Sequence, residues 1–436
     1  MKHLFNEFNP ASASEWKVRL EKDLKGITFE ELSVKDRNGI TIHPFYTSED
    51  VNVEYSVVTS NPDWSICEQI VTEDASVANK QALEALNNGA SGISFIIKND
   101  VEIAALLQNI ELPYIYCNFK INNSETFLTK FQDYLQSKNW KLNCFISNDF
   151  VGNYLETNEW NKEPETNAFL STFETTKQLS IDASLFQNAG CNSVTELAYA
   201  LAQINEYLNI LNENNKVSLL QKVHISIATD TNFYEQIAKL RALKNVLHLL
   251  LEQYGLKNIP VHLHVETSNV YRSPFDSYSN LLRDTLAGMA GVLGSCDSLY
   301  IHPFDETLRT STDFSKRMSR NQQLIFKEES YLDKVADIAA GSYYLETLTA
   351  QLSEKAWSSF KGVEANGGLI AIFENGDLKK TIETQAQQLI QEYKEGKRIL
   401  IGVNKFINAT DSPKPLVVEN HNAKGIQRIL LSSEIL

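Results

Sequence analysis

The stretch VHLHVETS, residues 261–268, follows Pro260 and alternates strictly: Val261, Leu263, Val265 and Thr267 against His262, His264, Glu266 and Ser268. Side chains of a strand point to opposite faces with period two, so two imidazoles, a carboxylate and a hydroxyl share one face. Such a row suits three kinds of chemistry. It can ligate a metal, with His224 or His302 completing the shell. It can form a satisfied internal hydrogen-bond network. It can also line the path of a long polar ligand. Successive residues on one face lie about 7 Å apart, which weakens the metal reading. Two neighbouring segments repeat the pattern. LSIDASL (179–185) places Ser180, Asp182 and Ser184 together, and VHISIATD (223–230) does the same for His224, Ser226, Ala228 and Asp230.

These rows need a scaffold. Short apolar runs rich in β-branched and aromatic residues recur at 92–97, 114–119, 142–147, 179–185, 223–230, 261–268 and 298–304. Helical patterns separate most of them. Residues 76–89 and 232–255 end in glycine, and 193–211 opens with Ser193 three residues before Glu196, which predicts a capping box. Strand–helix alternation means a parallel sheet with helical crossovers. Seven strands are clear; residues 334–344 keep the spacing and are expected to be the eighth, with 369–373 as helix. The fold class is α/β: a (β/α)8 TIM-type barrel over 61–407, preceded by an N-terminal arm (1–60, helix plus extended chain) and followed by a short tail (408–436). An open doubly wound sheet is the alternative, weakened because no G-x-G-x-x-G follows a strand. The arm is expected either to contact a partner or to cover the barrel bottom. The apolar alternates Ile181, Ile225, Ile227, Leu263 and Val265 suit the helix-facing side, so the polar rows should face the axis.

Composition narrows the function classes. A formal net charge of −15 disfavours nucleic acid and acidic membrane surfaces. No run approaches the roughly 18 apolar residues of a membrane span, and no signal-peptide core opens the chain. The five cysteines are scattered without C-x-x-C, which predicts reduced thiols, a cytoplasmic protein and no cysteine-based metal site.

Longer motifs carry a resemblance. SEWKVRLEKDLKG and PFYTSED in the arm, DWSICEQI with ANKQALEALNNGASGISF, QNAGCNSVTELAYALAQINEYL, NLLRDTLAGMAGVLGSCDSLYIHPFDE, DFSKRMSRNQQLIFKEES and ADIAAGSYYLETLT occur in order. Together they resemble the methylmalonyl-CoA mutase family, and within it the small, non-catalytic subunit. The resemblance implies a barrel through which the pantetheine of CoA passes in the catalytic chain, and adenosylcobalamin as the cofactor that interconverts methylmalonyl-CoA and succinyl-CoA. It also shows departures. The family's active-site histidine, in a segment like S-G-Y-H-M-Q-E-A-G, falls on Leu185 of DASLFQNAG. The arginine of W-[ST]-I-R-Q falls on Cys67 of WSICEQ, and the glutamine of H-x-Q-T-S on Glu266 of HVETS. Leucine neither donates a hydrogen bond nor exchanges a proton, and cysteine cannot replace a bidentate cation. D-x-H-x-x-G, whose histidine would ligate cobalt, occurs at none of the eight histidines, so no cobalamin domain is expected in this chain.

The expected function is therefore a non-catalytic mutase subunit in a heterodimer with a homologous large catalytic chain that holds the adenosylcobalamin. This chain itself would have no catalytic residues, the degenerate positions being Leu185, Cys67 and Glu266, and no cofactor or metal. The helices of TELAYALAQINEYL and LLRDTLAGMAGVLG are interface or barrel-wall elements. The alternatives are a stand-alone barrel that binds an acyl-CoA or another ligand, or a homodimeric scaffold. In the former, Asp182, Ser184, His262, His264, Glu266, Ser268 and His302 would face the ligand.

Overall fold

The computed structural model describes residues 11–51, 62–121, 125–408 and 424–435. Among these, eight parallel strands form the barrel: β1 (Ser65–Thr72), β2 (Gly92–Ile97), β3 (Tyr116–Ile121), β4 (Phe145–Ser147), β5 (Gln178–Asp182), β6 (Lys222–Thr229), β7 (Val261–Thr267) and β8 (Ser298–Tyr300). They hydrogen-bond in the order β4-β3-β2-β1-β8-β7-β6-β5. The circle lacks a ladder only between β4 and β5. Side chains bridge that seam: Ser147 Oγ meets Ser180 Oγ at 2.5 Å, and Gln178 Nε2 donates to the Cys144 carbonyl at 3.0 Å.

The fold class is as expected, but one strand is not where the spacing put it. Residues 334–344 are turns that run into the helix Tyr343–Ala365. Arg241, fully buried, draws this segment in through Asp337 at 3.0 Å and also binds Glu346 at 2.9 Å. The missing strand is β1. Its outward face carries Glu68 in an ion pair with the buried Arg320, so a charge stands where the strand period calls for an apolar residue. Residues 369–373 are helical, within Leu369–Glu374.

Register fixes which side chains face the axis. His224 lies beside His262, Ser226 beside His264, and Ala228 beside Glu266. Ser298 and Tyr300 of β8 continue those rows, and Tyr116, Asn118 and Phe145 join from β3 and β4. The alternates point outward into apolar layers. Leu179, Ile181, Val223, Ile225, Leu263 and Val265 pack under the helices Ser193–Glu213, Phe233–Gln253 and Tyr343–Ala365. Ile93, Phe95, Cys117 and Phe119 pack under Ala75–Asn87 and Glu125–Ser137.

The predicted capping box is replaced by a different arrangement. Asn192 is the N-cap, and its side chain accepts from Thr195 N. Glu196 is withdrawn into the core, where Lys239 Nζ binds it at 2.8 Å and also donates to Gln187 Oε1 and the Ala228 carbonyl. Burial pushes the Glu196 carboxyl up against the pull of Lys239.

The arm packs on the rim of its own barrel. Asn38 reaches Glu235 at 2.9 Å and accepts from Val194 N, while Arg37 donates to the carbonyls of Gly190 and Gln385. Apart from the Gln385 bond, on the helix Asp377–Lys394, these contacts lie at the starts of the helices that follow β5 and β6, on the side of the strands' C-terminal ends. The arm helix Ala13–Asp23 has no buried residue; Trp16 rests on Phe45 and Phe29 of the same arm. No helix among the described residues is long and apolar enough to cross a membrane.

The Lys239–Glu196 pair gives a stability test. Lys239→Met leaves a buried carboxyl without its cation and should cost about 3 kcal/mol in urea unfolding; the double change with Glu196→Leu should recover most of that loss.

Candidate functional site: the barrel interior

The half of the interior near the strands' N-terminal ends is filled by rings. Tyr116 stacks on His262 with centroids 4.7 Å apart and planes 2° off parallel. Phe145 packs on His224 at 4.6 Å and on His262 at 4.9 Å. Cys67 and Tyr300 complete the cluster. Gly92 faces inward opposite Tyr116, and a Cβ there would stand 2.8 Å from the ring, so its lack of a side chain makes the ring's place.

The hydrogen bonds through this layer run in one direction. Ser147 donates to Asn118 Oδ1 at 2.8 Å, which uses its only proton. Ser180 must then donate to Ser147, and so it accepts from His224 Nδ1 at 2.9 Å. His224 Nε2 is left as acceptor for the Tyr116 hydroxyl, also at 2.9 Å. Nε2 accepts in this way when His224 is neutral. Burial, with His262 and His264 nearby, holds its pKa well below the usual range. Ser298 Oγ similarly serves His262 Nε2 at 2.9 Å and His264 Nδ1 at 2.8 Å, one hydroxyl between two imidazoles. Burial brings His262 down to about 4 and His264 to about 3. Three neutral imidazoles among rings are an internal support, with no free cation to offer a ligand. Among the described residues no three His, Cys, Asp or Glu side chains converge as a metal would require.

Toward the strands' C-terminal ends the interior becomes charged. Lys120 Nζ binds Asp182 at 2.8 Å, and Asp182 also accepts from Ser184 N and Oγ. Burial opposes both charges. Even so, Lys120 holds Asp182 below the usual carboxylate range, and Asp182 and Glu266 keep Lys120 above its own. Glu266 accepts from Asn188 Nδ2 at 3.4 Å and lies 4.0 Å from His302 Nε2. His302 Nδ1 is held by Glu306 at 2.7 Å, and Ser268 donates to Asn188.

The expected rows therefore do face the axis, but they divide between two layers. His262 and His264 belong to the ring layer; Asp182, Glu266 and His302 belong to the charged one. Ser184 and Ser268 lie just past the strand ends. Leu185, buried in the short helix Ser184–Asn188, joins the apolar core. Cys67 is enclosed by Tyr116 and Tyr300, and burial pushes its thiol up. The sequence reading missed Tyr116, Lys120, Phe145 and Ser298. The alternation Tyr116–Asn118–Lys120 in YCNFKI was the available signal.

A family model described as methylmalonyl-CoA mutase matches residues 78–431. The chain belongs to the methylmalonyl-CoA mutase family. It is 32% identical over 446 residues to the methylmalonyl-CoA mutase small subunit of Porphyromonas gingivalis, covering 94% of this chain and 72% of that one. It is 27% identical over 460 residues to the methylmalonyl-CoA mutase of Cereibacter sphaeroides, and 27% over 474 residues to the mitochondrial methylmalonyl-CoA mutase of Mus musculus. Of those two mutases it spans 65% and 63% respectively.

The depressed histidines give a pH test. Between about pH 6.5 and 3 the unfolded chain binds a proton at His264 that the folded chain refuses, so this residue's contribution to stability falls as pH falls. Relative to wild type, His264→Asn should make the fall in unfolding free energy from pH 6 to 4 shallower by about 1.4 kcal/mol per pH unit. An unchanged slope would mean that His264 titrates normally.

Proposed function

We propose that this chain is a non-catalytic subunit of a methylmalonyl-CoA mutase, assembling with a longer homologous chain that binds adenosylcobalamin and carries out the rearrangement. The observation that carries this reading is the ring layer. Tyr116, Phe145, His224 and His262 stack across the axis, where an extended ligand arm would have to pass. The degenerate positions agree with it. Leu185 gives no hydrogen bond, Cys67 no positive charge, and Glu266 a carboxylate that repels an anionic acyl group. Five of the described histidines are already engaged. His224, His262, His264 and His302 are engaged inside the barrel, and His43 is bound to Ser33 in the arm.

Two exposed features support a protein partner. The helix Ser277–Leu293 presents Tyr278, Leu282 and Leu286 at four-residue spacing, and Leu282 is 68% exposed. Phe314, on the following helix Asp313–Leu324, is also exposed. By contrast, Ser193–Glu213 is buried nearly throughout as barrel wall. An apolar stripe on one helix face is a recognised form of protein contact. The arm helix is the second feature: beyond the Trp16 contact with Phe29 and Phe45 it buries no residue, and an 11-residue helix is marginal without tertiary packing.

Co-expression with a family member carrying D-x-H-x-x-G should yield a stable complex of the two chains, and titration calorimetry of the isolated chain with CoA should show no binding. Leu282→Glu should weaken the complex about tenfold or more without lowering the unfolding midpoint. CoA binding by the isolated chain would favour a stand-alone acyl-CoA binder. A homodimer that ignores the catalytic chain would favour a scaffold.

A further inference from the structure

The charged end of the barrel is covered by the chain's own C-terminal segment. Residues 424–435 cross from the loop after one strand to the loop after another. Ile426 N donates to the Leu155 carbonyl, beyond β4, at 2.8 Å; Ile429 N to the Asn188 carbonyl, beyond β5, at 2.8 Å; and Leu431 N to the Val270 carbonyl, beyond β7, at 2.9 Å. Ser432 Oγ adds a bond to the Arg272 carbonyl. Ile426 and Leu431 are buried, so the crossing is anchored by apolar contact as well as by backbone bonds. Two glycines fit it closely. A Cβ on Gly425 would overlap the Glu156 carbonyl oxygen, and one on Gly190 would stand 2.9 Å from Ile429 Cδ1. Between these anchors Arg428 Nε binds Glu156 Oε1 at 3.0 Å. The barrel mouth beneath contains Asp182 and Glu266, with one resident cation, Lys120. The Arg428 side chain keeps 32% exposure, and the carboxylates of Glu156, Glu266 and Asp182 favour its charge.

We propose that residues 424–435 are a self-docked strap that lies across the C-terminal mouth of the barrel, latched by Arg428 on Glu156 at its rim. A TIM barrel takes its ligands at this face, through the loops that follow the strands. Here three of those loops are occupied by the chain's own backbone. The strap thus crosses the mouth above Lys120, Asp182, Glu266 and His302, whose other side is bounded by the Tyr116 layer; Asp182 keeps 32% and Lys120 20% side-chain exposure beneath it. A ligand arm long enough to reach Glu266 and His302 through this mouth would have to displace the strap, and Arg428 sets how readily it leaves. This holds whether or not the chain works beside a catalytic partner.

Hydrogen exchange on the full chain, followed by mass spectrometry, tests the latch. In the wild type the amides of 426–431 should exchange far more slowly than those of an unstructured peptide of the same sequence. Arg428→Ala should speed them about fivefold or more and leave the β6 amides of 223–229 unchanged. Gly425→Ala, which acts by steric overlap alone, should also release the strap, and Arg428→Lys should fall between wild type and Arg428→Ala. Wild-type amides exchanging at the unstructured rate would overturn the proposal whether or not any variant folds. Unchanged exchange in Arg428→Ala, or a rise shared equally by β6, would overturn the latch.

Discussion

The one-way hydrogen-bond chain from Tyr116 through His224, Ser180 and Ser147 to Asn118 constrains much of the interior. It joins strands that share no ladder at the β4–β5 seam and so completes a barrel that backbone pairing leaves open. Its direction depends on a neutral His224, because an imidazolium would donate to the tyrosine oxygen instead of accepting its proton. That requirement explains why rings surround it. Phe145 and Tyr116 exclude water, which penalises the charged form and keeps the acceptor available. An interior that depends on desolvation in this way cannot also be a wet passage. Closing the barrel and blocking its axis are one structural fact.

The sequence disclosed most of this fold, because barrel strands obey period two and the crossover helices carry clear ends. The inward direction of the polar rows was legible from Ile181, Ile225, Leu263 and Val265 alone. It failed where tertiary pairs override the local pattern. Glu68 faces outward in β1 because Arg320 waits there, which hid a true strand. Arg241 pins 334–344 as a loop, although its spacing suited a strand. Ser193 and Glu196 look like a capping box, yet Lys239 claims the glutamate from another helix. In each case a buried cation more than 40 residues away decided the outcome, and no local window contains that information. The candidate site was harder still. Alternation placed His262, His264 and Glu266 on one face, but their division into a neutral ring layer and a charged layer depends on Tyr116, Phe145 and Lys120 from other strands.

The buried cations on the outer wall have a further consequence. Lys239, Arg241 and Arg272 each bridge separate elements: Lys239 the helix starts after β5 and β6, Arg241 the 334–349 region, and Arg272 Asp284 with the carbonyls of His302 and Pro303. A buried ion pair contributes little net stability compared with apolar packing, but removing one member is costly. Such pairs therefore hold the helices in one arrangement and resist single substitutions. The interior side chains carry no comparable cross-element ion pairs in the ring layer. Leu185 packs into the apolar core, whereas Cys67 is enclosed by the rings of the interior. An outer wall tied together by buried cations while the axis fills with rings fits the proposed role of a partner-binding subunit.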